Sequence, residues 1–125
     1  MTKNGLAFIE KKLKEIEIPY CFEEWTEDIC YPYFVGEYTE SEPLYECGES
    51  ESTFILTGTA SGSWLSLENA KEKIRKIFTD NGITEILDGN IAIAVMYAGA
   101  MPVPTGTDEL KRMQINLKIK EWRVE

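Results

Sequence analysis

Cysteine and carboxylate are the side chains of this sequence best suited to chemistry, and their spacing assembles no recognisable centre. Histidine is absent from the 125 residues. That removes Ser-His-Asp and Cys-His nucleophilic systems, the commonest general base and the commonest zinc ligand. Cys21, Cys30 and Cys47 stand nine and seventeen residues apart, whereas zinc motifs need close pairs such as C-x2-C. They read as structural thiols. The groups Glu23, Glu24, Glu27, Asp28 and Glu46, Glu49, Glu51 lack the alternating ligands and turn glycine of a calcium loop. They read as a solvated face. Residues 57–63 are rich in Gly, Ser and Thr and precede a helical pattern, but no lysine follows until Lys71. A P-loop needs Gly-Lys-Ser/Thr, so these glycines read as a strand-to-helix turn. Ser-Lys and two-carboxylate mechanisms stay formally open, although no spacing singles one out. The expectation is a protein without enzymatic activity, cofactor or metal, acting through its surfaces.

Charge sharpens that expectation. The net charge is −9. Between Lys14 and Lys71 there is no Lys or Arg but there are thirteen Asp or Glu, while residues 63–125 carry nine of each sign. The excess negative charge therefore lies wholly in the first half. Such a field repels phosphate backbones, so sequence-specific nucleic-acid binding is not expected. It suits a solvated acidic face, a docking face for a basic partner, or a surface that DNA passes without sticking. Three widely spaced cysteines point to a reducing, cytoplasmic setting. No apolar run reaches the ~18 residues of a membrane span, and the first residues lead straight into an amphipathic pattern rather than an apolar leader.

The length fits one α+β domain over residues 1–125, since domains cluster at roughly 100–150 residues. Leu6, Ile9, Leu13 and Ile16 recur at helical spacing and predict a helix over 5–17, with Asn4 as N-cap and Pro19 as stop. Strands are predicted at 20–26, 33–40 and 52–60, linked as an antiparallel meander. Residues 41–50, rich in Glu, Ser, Pro and Gly, read as an exposed connection. Ser66 is the expected cap of a second helix running to about Thr79, stopped by Asn81-Gly82. A short strand over 83–87, a turn at 88–90 and a buried strand over 91–98 follow. Met113, Ile115, Leu117 and Ile119 alternate with polar residues in a last strand over 110–124. An apparent phase shift near Lys120-Glu121 predicts a bulge there. The order α-β-β-β-α-β-β, with an optional extra strand, predicts two layers: a mainly antiparallel sheet with two helices on one face.

Two segments stand out for interaction. Residues 99–108 join two strong strands and contain Gly99, Met101, Pro102, Val103, Pro104, Thr105 and Gly106. The prolines predict an irregular loop longer than a hairpin needs, of the kind that carries contacts. The polar side of the last strand, Arg112, Gln114, Asn116, Lys118 and Lys120, is basic. In an assembly of identical subunits it can meet a neighbour's acidic face head to tail.

Residues 31–38 (YPYFVGEY), 51–58 (ESTFILTG), 102–106 (PVPTG) and 114–122 (QINLKIKEW) resemble short prophage proteins of Gram-positive bacteria. The element order is similar to that of phage tail terminator and tail-to-head joining proteins. The resemblance implies a structural protein of the phage tail or head–tail junction, forming a homo-oligomeric, hexameric ring. It also implies docking to tail-tube or connector proteins, host cytoplasm as the site of assembly, and the virion tail as destination. It carries no catalytic motif, so no residue inherits a role. The rival expectations are an acidic monomeric binding module, either a host-protein interaction partner or a DNA mimic, and an enzyme using two carboxylates.

Overall fold

Alternation of apolar and polar residues decides which way each strand faces, and here it points most of the large apolar side chains one way. The structure, a computed structural model, describes residues 1–40 and 50–124. In chain order it contains α1 (Lys3–Glu15), β1 (Tyr20–Phe22), β2 (Tyr33–Glu40), β3 (Ser50–Ser61), α2 (Leu65–Phe78), β4 (Ile83–Leu87), β5 (Ile91–Val103) and β6 (Leu110–Arg123). The strands form one sheet in the order β1-β2-β3-β6-β5-β4. Both helices lie on one face of this mixed, mostly antiparallel sheet, giving a two-layer α+β fold. The connection predicted over 41–50 falls, up to residue 49, outside the described residues.

Register explains the sidedness. Phe54 lies opposite Leu117 and Leu56 opposite Ile115. These four, with Phe34, Ile93, Val95 and Ile119, are fully buried against Ile9 and Leu13 of α1 and Leu67, Ile74 and Phe78 of α2. Burying each such side chain contributes about 1.5–3 kcal/mol. Gly58 sits opposite Phe34 on one neighbour and Met113 on the other. A Cβ there would meet the Phe34 ring at 2.3 Å, so only glycine lets that ring lie flat over β3. Tyr20, at the margin of this layer, tilts against Phe54. Burial, reinforced by the negative charges of Glu10 and Cys21, pushes its phenol well above the ordinary value.

Four details depart from the sequence expectation. First, β1 stops at Phe22 and runs parallel to β2; the three leading strands are not a meander, because residues 23–32 carry the chain back across the sheet edge. Second, the helices start earlier than predicted. Thr2, not Asn4, caps α1 by accepting from the Gly5 amide at 2.9 Å, while Asn4 donates to the Asp88 carbonyl. Trp64 precedes α2, and Ser63 Oγ accepts from the Leu65 amide.

Third, β6 keeps its phase throughout. Glu121 continues the buried series Met113, Ile115, Leu117, Ile119 at 3% exposure. Its carboxylate accepts from Thr2 Oγ1 at 2.6 Å and from the Thr2 amide at 3.2 Å, at the positive end of α1. The irregularity lies instead in β5, between Tyr97 and Ala100, where Gly99 takes φ 117°.

Fourth, β5 continues past this bulge, and Ala100–Val103 pairs with Arg112–Ile115. The prolines fit because of which groups face β6. The Gly62 amide bonds to the Glu109 carbonyl, so odd-numbered β6 residues direct their backbone toward β3. Pro102, opposite Met113, therefore points its nitrogen away from the ladder, where no N–H is needed. Only residues 104–109 remain as a connection.

Candidate interaction surfaces

Among the described residues no helix covers the second face of the sheet. The residues between the buried ones point there: Val35 on β2, Thr53, Ile55, Thr57 and Thr59 on β3, Met96 on β5, and Arg112 to Lys120 at even numbers on β6. The structure thus brings Arg112, Gln114, Asn116, Lys118 and Lys120 together in one column near the middle of the sheet. Arg112 Nε donates to Thr59 Oγ1 at 3.4 Å, and Gln114 donates to Asn116 Oδ1 at 3.1 Å. Lys120 pairs with Glu51 across the strand at 3.7 Å. Lys118 is exposed. The Arg112–Thr59 and Lys120–Glu51 contacts are cross-strand pairs of modest strength, roughly 0.2–1 kcal/mol each, and the Gln114–Asn116 bond runs along β6 itself; together they leave the column half-open.

The residues predicted as an interaction loop divide between two settings. Gly99 is in the bulge. Met101 and Val103 lie on the open face opposite Gln114 and Arg112, while Pro102 faces the other way opposite Met113. Met101 is 51% exposed. Pro104, Thr105 and Gly106 form the tip of the β5–β6 hairpin, with Gly106 at φ 77°. The tip is tied down rather than floppy: Thr105 Oγ1 lies 2.8 Å from the Thr107 carbonyl and 2.9 Å from that of Leu110. Together with Trp64, Val103 and Lys111 the tip walls a polar hollow of about 380 Å³.

A further surface was not singled out by sequence reasoning. Residues 23–32 fold over the open side at the β1–β2 edge. Trp25 and Tyr31 pack around Tyr33 with ring centroids 5.0 and 5.8 Å away, and the Trp25 indole donates to the Asp28 carbonyl. This strap presents Glu23, Glu24, Glu27 and Asp28 beside exposed Ile29 and Tyr31. Its run of acids was visible in the sequence; its placement on the same side as the basic column was not.

The remaining hollows are shallow. One of about 410 Å³ lies between the helices, floored by Ile16 and Ile77 with Glu15 and Glu17 on one wall and Lys73 and Lys76 on the other. Among the described residues no three Cys, Asp or Glu side chains converge as metal ligands. Cys21 and Cys30 are free thiols, and Cys47 lies outside the described residues. Among the described residues no helix is long and apolar enough to cross a membrane. The chain matches no family model and no curated protein.

Proposed function

We propose that the protein is a structural subunit of a phage tail or head–tail junction, working by self-association and by docking to tail-tube or connector proteins. The observation that carries this reading is the uncovered sheet face. Half-buried Val35, Ile55, Met96 and Val103 and exposed Met101 lie there around a polar column. Side chains already ordered by their strand neighbours lose little further entropy on contact. A second copy is the first occupant to consider, and a closed ring is the assembly that the sequence resemblance implies.

The unpaired acids of residues 23–37 favour a second reading, an acidic module that captures a basic partner. Sedimentation velocity of the full chain, alone and mixed with tail-tube protein, separates the two. Self-association or a complex with tail-tube protein supports the structural role. A strict monomer that ignores tail proteins but binds a basic DNA-binding protein, and releases it in high salt, replaces it with the second reading.

A further inference from the structure

The charges left without a partner inside the chain fall in two places on one side of the sheet, and they have opposite signs. Among the described residues, Glu23, Glu24, Glu27 and Asp28 of the strap form no ion pair, and neither do Arg112 and Lys118 of β6. They do not neutralise each other within the subunit because β3 stands between them. Two strand spacings put about 10 Å between β2 and β6.

Each patch also has an apolar centre. Ile29 is 62% and Tyr31 48% exposed amid the acids, and Met101 and half-buried Ile55 flank the bases. An apolar centre within a charged rim of opposite sign is what a specific protein contact requires of its two halves.

We infer that these patches are partners across copies: the acidic strap of one subunit lies over the basic column of the other. The inference rests on the self-association proposed above and specifies its contact. Because the two patches lie side by side on one side of the sheet, two copies facing each other across a two-fold axis make both contacts at once, each strap over the other's column.

The test is charge exchange followed by sedimentation velocity. One variant carries Arg112→Glu and Lys118→Glu; the other carries Glu24→Lys, Glu27→Lys and Asp28→Lys. Lys118→Glu alone, at an exposed position, covers the case in which the first variant folds poorly. Wild-type association should weaken about tenfold or more between roughly 0.05 and 0.5 M salt, as screening shortens the reach of rim charges. Each variant alone should lose association while keeping its thermal unfolding midpoint, and the equimolar mixture should regain it. Wild-type association unaffected by salt and by either variant overturns this contact and leaves self-association standing. Failure of the mixture to recover overturns the contact in the same way. A wild type that stays monomeric at every salt and concentration overturns both.

Discussion

The two faces of the sheet are made from the same strands, residue by residue, yet they do different work. On the helix side, Phe54, Leu56, Ile115 and Leu117 are fully buried. One residue along on the same strands, Ile55, Thr57, Gln114 and Asn116 are half-buried, with no helix of the described residues over them. The fold is held together from one side. Sequence changes on the other side are therefore nearly free of folding constraint, and selection there can act on contact with other molecules. The contrast is sharpest in charge: among the described residues the covered face admits one carboxylate, Glu121, and gives it hydrogen bonds, whereas the open side carries charge of both signs that no described residue pairs.

The largest effect that tests this contrast comes from adjacent residues of β6. Leu117→Ala should cost about 2–5 kcal/mol in urea unfolding, and Asn116→Ala should stay within about 0.5 kcal/mol. Comparable losses would mean that the open face also supports the fold. Next is Gly58→Ala. The added methyl must displace the Phe34 ring, so a loss of about 1–3 kcal/mol is expected; an unchanged midpoint would show that the ring has room to move.

Glu121→Ala should cost about 1–3 kcal/mol by stranding the Thr2 donors, with Glu121→Gln milder because one acceptor remains. If Glu121→Ala were neutral, the carboxylate would be a tolerated guest of the covered face rather than an anchor for α1.

The smallest effect appears only in alkali. The Tyr20 phenol is raised in the folded protein above its unfolded value of about 10. The folded state then binds the proton more tightly, so its contribution is complete below pH ~10 and is lost as pH climbs beyond it. Tyr20→Phe should remove that part of the alkaline decline in a pH series of unfolding midpoints.

Much of the covered layer was legible in the sequence, because Leu6, Ile9 and Leu13 or Met113, Ile115 and Leu117 announce their period by themselves. What was hidden depended on partners distant in the chain. A carboxylate in the buried phase reads as a break in β6 until Thr2, 119 residues away, supplies its hydrogen bonds. Pro102 reads as the end of a strand until the sheet order shows that its nitrogen faces an edge. The parallel course of β1 follows from where residues 23–32 fold, which no local spacing encodes. The candidate surfaces were legible as charges and illegible as places: the acids of residues 23–28 and the bases of β6 could be counted in the sequence, but only the packing of Trp25 and Tyr31 on Tyr33 and the register of β6 put them on one side.

The far end of β5 has a consequence for how copies can join. Beyond Val95 no strand of the described residues covers its outer flank, the kind of exposed backbone that seeds fibrils by template growth. Between residues 100 and 104, however, two of the three outward positions are proline, and a bulge bends the strand just before them. Ala100 alone offers a hydrogen there, too little to recruit a foreign strand. Recruitment of a foreign strand is opposed at this flank, and copies that meet there must read one another by side chain.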